Sequence, residues 1–195
     1  MARQRDVGEQ RKMLSNATWE VLAEEGLPGL TLRAVAERAG CTTGLVMHTF
    51  PTKKALLLHA RDLLYERTAV RLDAAEASAR GAADALRAVV LADYLPADRH
   101  EESRVWVGFL AAALADDDLA ERHRHANRSF IARIERLLTA CRPEWTRARI
   151  EQEAKSLVAL LEGLNALAAA DPSTFSLRVQ QKAISDALGR IVRAS

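Results

Sequence analysis

The stretch from Thr31 to Lys54, TLRAVAERAGCTTGLVMHTFPTKK, constrains the fold more than any other part of the chain. Leu32, Val35, Ala36 and Ala39 recur at i, i+3, i+4 and i+7, one face of a helix, with Thr31 placed as its N-cap. Gly40 supplies a turn that side chains with a Cβ resist. Thr42 then caps a second short helix whose inward residues, Val46 and Phe50, are four apart. Left outside are Thr43, Gly44, Leu45, Met47, His48 and Thr49, a face with almost no charge. Such a face suits a groove of DNA, where base edges offer donors, acceptors and methyl groups. The pattern predicts a helix-turn-helix, and with it a DNA-binding function.

The surrounding charges point the same way. Arg33 falls in the first turn of the first helix, and Lys53 and Lys54 fall in the first turn of the next, capped by Thr52. A cation at a helix N-terminus opposes the macrodipole at a cost of about 0.3–1 kcal/mol. The free N–H groups at the same ends attract anions. Cations placed there make sense as phosphate contacts, although solvated side chains would look the same in a sequence.

The segment resembles the N-terminal domain of TetR-family repressors, whose signature runs T-L-R-x-V-A-x-x-A-G, S/T-x-G-x-L-Y-x-H-F and x-x-K-x-x-L-L. Thr31, Leu32, Arg33, Val35, Ala36, Ala39, Gly40, Thr42, Gly44, Phe50, Lys53, Leu56 and Leu57 carry the match. Two positions depart from it: Met47, where the family usually has a phosphate-contacting Tyr, and Thr49, where His is common. The close match covers roughly the first 60 residues. Two further echoes are of the BetI-like subgroup, whose members respond to choline: Trp106-x-x-Phe109-x-x-Ala112, and Leu160-Leu161-Glu162-Gly163-Leu164 leading to Asp171-Pro172. The resemblance implies an all-α, nine-helix fold with a helix-turn-helix head at 1–54 and an effector-binding and dimerisation body at 55–195. It implies a homodimer, a double-stranded DNA operator with palindromic symmetry, and release by an unknown small-molecule effector. Together with the outer face and the flanking cations, it makes Thr31, Arg33, Thr42, Thr43, Gly44, Leu45, Met47, His48, Thr49 and Lys53 the candidates for DNA contact.

Composition agrees with helices. Nearly half of the 195 residues are hydrophobic but only 5% are aromatic, and nine Gly and five Pro interrupt them. Residues 1–54 hold eight Lys/Arg against six Asp/Glu, while the remainder holds twenty of each. The small positive surplus therefore lies beside the helix-turn-helix, where Arg3, Arg5, Arg11 and Lys12 form either a phosphate-reaching arm or a solvated tail. The chain contains no apolar run of 18 residues, and MARQRDVGEQ lacks the apolar stretch of a signal peptide, so a cytoplasmic protein without a membrane partner is expected. Cys41 and Cys141 suggest no disulfide framework.

Along the chain, helices are expected near 10–25, 52–79, 82–94, 101–115, 118–140, 147–170 and 174–193, besides the two of the helix-turn-helix. The breaks are Gly26, Gly81, Pro96, Asp116-Asp117-Asp118, Pro143 and Asp171-Pro172. Met13, Ala17 and Val21 should face inward on the first. The last two carry wide apolar surfaces, with Leu157, Leu160, Leu164 and Leu167 on one and Ile184 and Leu188 on the other. These form either a single-chain core or a four-helix dimer interface, for which Leu157, Leu160, Leu164, Ile184 and Leu188 are the candidates; Ala159, Gly163 and Ala166 would allow close approach. Two recognition helices related by a two-fold axis would read a palindrome with half-sites about one turn apart.

Phosphate loop, nucleophile elbow and paired-cysteine metal site are all missing from the sequence, so neither a catalytic set, a cofactor nor a metal is expected. His123 and His125, two apart on a helix, point to different sides and read as part of a charged face with Arg122, Arg124 and Arg128. Trp106, Phe109, Leu110, Phe130, Ile134, Trp145 and Leu161 are the candidates for an apolar effector pocket, though the same stripe serves equally as core. The reading is a ligand-responsive repressor. Its rival is a TetR-like ligand- or protein-binding module that no longer reads DNA, for which Met47 speaks.

Overall fold

The computed structural model describes residues 2–94 and 100–193, and the side chains of residues 8–93 and 102–192. Among the described residues there are nine α-helices and no strand. In order they are α1 (Ala2–Gly29), α2 (Leu32–Arg38), α3 (Thr43–Thr49), α4 (Lys53–Ala77) and α5 (Ala82–Tyr94). They continue as α6 (His100–Ala113), α7 (Asp117–Cys141), α8 (Arg147–Ala170) and α9 (Leu177–Arg193). The side chains of Arg3 and Arg5, and the break expected at Pro96, lie outside the described residues.

α1 begins earlier than the apolar pattern indicates, and Gly26 interrupts it at φ 68° and ψ −170°, where the sequence expects the helix to close. Its buried face is Leu14, Ala17, Thr18, Val21 and Leu22, a three-and-four spacing. Met13, expected inward, is 37% exposed because Leu14 holds the buried register. Thr18 is completely buried, and its hydroxyl donates to the Leu14 carbonyl at 2.7 Å, so no polar group is stranded. On α4, Leu56, Leu64 and Leu72 are buried at intervals of eight, whereas Val70 points outward. α9 starts at Leu177 rather than near 174 because Asp171 organises a turn first: its carboxylate accepts from the Ser173 hydroxyl (2.6 Å) and the Thr174 N–H (3.1 Å). Those bonds hold the Asp171 pKa at about 2.

The helices form two compact units. The first comprises Met1–Glu66 and Arg104–His123. Its core joins Leu14, Val21 and Leu22 of α1, Val35 of α2, Val46 of α3, Leu56 and Leu64 of α4, Val105 and Phe109 of α6, and Leu119 of α7. The second comprises Arg67–Ser103 and Arg124–Ser195, with a core of Leu72, Leu86, Val89, Val90, Ile134, Leu138, Leu157, Leu161, Ile184 and Leu188. A functional division at 54/55 and this division by packing are different things, since α4, α6 and α7 each contribute residues to both units.

The turn between α2 and α3 gives a direct test of local conformation. Gly40 has φ 63°, and nothing lies within 4 Å of where its Cβ would be. Gly40→Ala should therefore cost about 1–2 kcal/mol from left-handed backbone strain alone. Gly81→Ala, in equally open space but without positive φ, should stay within about 0.5 kcal/mol. Urea titration of both variants checks this; equal costs would refute the conformational account.

Candidate nucleic-acid interface

Three threonines set the local geometry. Thr31 Oγ1 accepts from the Ala34 N–H (3.1 Å), Thr42 Oγ1 from the Leu45 N–H (3.3 Å) and Thr52 Oγ1 from the Ala55 N–H (3.0 Å). Each satisfies a donor that the start of α2, α3 or α4 would leave open. α2 ends in a Schellman arrangement: the Gly40 N–H donates to the Glu37 carbonyl (3.2 Å) and the Cys41 N–H to the Ala36 carbonyl (2.9 Å). Val46 and Phe50 are buried, at 0% and 4% exposure, and fix which side of α3 faces the core. Thr43, Gly44, Met47 and His48 are exposed as expected, as is the capping Thr42; Leu45 and Thr49, also expected outside, are half-buried at the edges of that face.

The end of α3 is braced from α4. The Phe50 ring stacks on His59 with centroids 4.7 Å apart, and His59 Nε2 lies 3.0 Å from Ser15 Oγ. The Ser15 hydroxyl donates to the Arg11 carbonyl at 2.8 Å, which leaves its oxygen to accept from the imidazole. Burial, then the neighbouring Arg11 charge, pushes the His59 pKa below its ordinary value, so the ring is neutral at this packed position.

The four cations around the helix-turn-helix separate into two kinds. Arg33 and Lys53 are exposed and make no ion pair among the described residues. Arg38 is bound to Glu24 (2.8 Å and 2.5 Å) and reaches Glu20 at 3.5 Å, and this pairing holds the Glu24 carboxyl below its usual range. Lys54, which the sequence places beside Lys53 as a phosphate candidate, is instead paired with Asp116 (3.2 Å) and Asp118 (2.6 Å). The sequence carried no signal for that partner, 62 and 64 residues away. Arg122 and His123 also depart from the solvated face expected of them. Arg122 Nη1 contacts both Asp62 oxygens, at 2.5 and 2.6 Å, and His123 is half-buried, with its pKa lowered by burial and by the Arg61 charge.

The seven pocket candidates belong to the two units separately. Phe109 is 2% exposed in the first unit's core, and Trp106 packs against that core. Ile134 and Leu161, at 0% and 1%, belong to the core of the second unit, with Phe130 and Trp145 against it; Leu110 is half-buried and in neither. Trp145 carries Arg149 at 4.0 Å and Arg142 at 5.2 Å over its ring, so its π-system already has cationic neighbours. Polar groups that the sequence reading passed over meet within the second unit. Ser103 Oγ donates to Asn165 Oδ1 at 2.8 Å, and Arg71 donates to the Ala92 carbonyl at 3.0 Å while pairing with Glu102 at 3.3 Å.

The candidate interface residues on α8 and α9 are also placed by burial. Leu157, Leu164, Ile184 and Leu188 are between 0% and 7% exposed in the chain's own core, and Leu160 is half-buried. Of the five, Leu160 keeps accessible surface, and Leu167, Leu177 and Val179 are exposed on the same two helices. Ala159 and Gly163 stand on the outer side of α8, with open space beside Gly163. No helix among the described residues is long and apolar enough to cross a membrane.

A capped helix, a left-handed glycine turn and a second capped helix with an uncharged outer face define a helix-turn-helix DNA-binding regulator. Comparison with known proteins gives the same class. Residues 14–60 match the description "Bacterial regulatory proteins, tetR family", and residues 82–193 match "BetI-type transcriptional repressor, C-terminal". The chain belongs to the TetR family of transcriptional regulators. It is 31% identical over 160 residues to the HTH-type transcriptional regulator BetI of Burkholderia ambifaria, covering 80% of this chain and 79% of that protein. It is 29% identical over 175 residues to the regulator PksA of Bacillus subtilis, covering 88% and 84%. Among solved structures, a Rhodococcus transcriptional regulator superposes with a TM-score of 0.81 at 28% identity, over 93% of this chain and 95% of that one. A regulator from Saccharomonospora viridis, solved in complex with choline, shares the fold with a TM-score of 0.83 at 18% identity, over 92% and 95%.

Proposed function

We propose that this protein is a ligand-responsive transcriptional repressor of the cytoplasm, binding a palindromic operator as a homodimer and released by a small-molecule effector. The observation that carries the reading is the outer face of α3: Thr43, Gly44, Met47 and His48 are exposed and include no Lys, Arg, Asp or Glu, with Arg33 and Lys53 beside it, exposed and in no ion pair among the described residues. Neutral side chains of this kind read base edges while the flanking cations hold phosphates. Met47 replaces a phosphate-contacting tyrosine with a thioether suited to a thymine methyl, which alters a contact and leaves the face intact.

Effector release requires that the ligand bind one state of the protein better than the other, a coupling typically worth about 1–3 kcal/mol. The choline bound to the Saccharomonospora neighbour makes choline the first compound to try. A choline cage needs aromatic faces free of other cations. Trp145, flanked by Arg142 and Arg149, is a poor member of such a cage, which argues for a different set of residues or a different ligand.

Selection from random duplex DNA, with sedimentation of the free protein, tests the reading. A palindrome should be enriched and the protein should sediment as a dimer at micromolar concentration. On that duplex, Lys53→Ala should weaken binding to all sequences and reduce the salt slope by about one unit. Thr43→Ala or His48→Ala should instead change base preference, by about 1–3 kcal/mol at the affected position. No enriched sequence would favour the rival reading, a module of this fold that binds ligand or protein without reading DNA.

A further inference from the structure

We infer that Lys54 is a positioning residue for DNA binding, holding the first turn of α4 against the start of α7, and is not a phosphate contact. The inference rests on the DNA-binding reading above. Two adjacent lysines open α4, and they point in directions about 100° apart on the helix. Lys53 is exposed and makes no ion pair among the described residues. The Lys54 ammonium lies 2.6 Å from Asp118 Oδ2 and 3.2 Å from Asp116 Oδ2.

Asp116 serves two purposes at once. Its Oδ1 accepts from the Asp118 N–H (3.0 Å) and the Leu119 N–H (3.1 Å), capping α7, while its Oδ2 faces Lys54. The Leu119 N–H first, and Lys54 next, keep its carboxyl below the usual range. Two turns further along α4, Asp62 holds Arg122 of α7 at 2.5 and 2.6 Å. Leu119, 4% exposed, packs in the same core as Leu56 and Ala60, both fully buried. The N-terminal halves of α4 and α7 are thus joined by three ion pairs and a shared apolar core, all inside the unit that contains the helix-turn-helix.

Thr52, Lys53 and the end of α3 stand at the end of α4 that this brace fixes. To reach a phosphate, Lys54 would have to leave two carboxylates that themselves repel DNA. Two acids beside a DNA-binding face are unfavourable by simple Coulomb interaction. Their presence there is reasonable where the geometry they hold contributes more to binding than their charge removes.

That balance gives a test by sign. The full-length protein and three variants, Lys54→Met, Lys54→Arg and the double variant Asp116→Asn/Asp118→Asn, are titrated with a duplex selected from random DNA by the wild type, across a salt series. Asn at 116 keeps the helix cap and removes only charge. A brace predicts that Lys54→Met and the double variant both bind roughly three- to tenfold more weakly. Their salt slope should equal that of the wild type, and Lys54→Arg should restore binding to within about twofold. A restrained phosphate contact predicts the reverse: the double variant binds more tightly, and Lys54→Met lowers the slope by about one unit. Either of these, or an unchanged affinity in the double variant, overturns the inference. If the double variant does not fold, the slope of Lys54→Met decides alone. If the wild type selects no duplex, the DNA-binding reading fails by itself. Amide exchange at the start of α4 then decides the brace, which stands if exchange is faster in Lys54→Met and falls if it is not.

Discussion

Phe50→Ala is expected to destabilise the DNA-binding unit by about 3–5 kcal/mol, the range for truncating a buried aromatic ring. Phe50 is 4% exposed, its N–H donates to the Val46 carbonyl at 2.7 Å, and its ring stacks on His59. α3 has seven residues, too few to hold a helix by its own hydrogen bonds, so its position depends on the two side chains it buries. Removing the larger one leaves Val46 alone to orient the recognition face. Operator affinity should therefore fall with stability, while Phe50→Leu, which keeps much of the volume, should lose less of both. Trp19 and Trp106 pack against the first core and Trp145 against the second, so fluorescence in urea, with Trp145 replaced by Phe, follows the relevant unit. A loss below about 1 kcal/mol would mean that α3 is supported in some other way.

Why this part of the molecule was legible in the sequence, and other parts were not, follows from the range of the forces involved. The two helices, their threonine caps and the glycine turn are determined within about four residues by hydrogen bonds that the chain makes to itself. Thr31, Gly40, Thr42 and Phe50 consequently stand as the spacing indicates. The register of α1 was harder, because Met13 and Leu14 are both apolar and only tertiary packing chooses between them. The sequence offers Lys54 as a further phosphate candidate because its partners, Asp116 and Asp118, are close only in the folded chain. The pocket candidates divide between two cores for a related reason. Trp106 and Phe109 have the spacing of a helix face, but spacing gives no information about which of two cores that face enters. Hydrophobic pattern identifies a buried stripe; which cluster receives it is a property of the fold.

α8 provides the sharpest separation between core and surface, and with it the other large effect. Leu161 is 1% exposed, in a core built from α4, α5, α7, α8 and α9. Leu161→Ala should cost about 2–5 kcal/mol in stability, as a buried leucine leaves a cavity that a close-packed interior only partly fills. Leu167, less than two turns along the same helix, is 48% exposed. Leu167→Glu should leave the stability of the single folded chain within about 0.5 kcal/mol. If α8 and α9 pair with a second copy through their outer sides, the same substitution places a charge in that contact and raises the dimer dissociation constant by an order of magnitude or more, as burying an unpaired charge demands. Urea unfolding and sedimentation of the two variants therefore form a crossed pair, one changing stability and the other association. Should Leu161→Ala prove nearly neutral in stability while changing the response to a ligand, Leu161 lines a pocket after all. Should Leu167→Glu leave association untouched, pairing through this side of α8 is refuted.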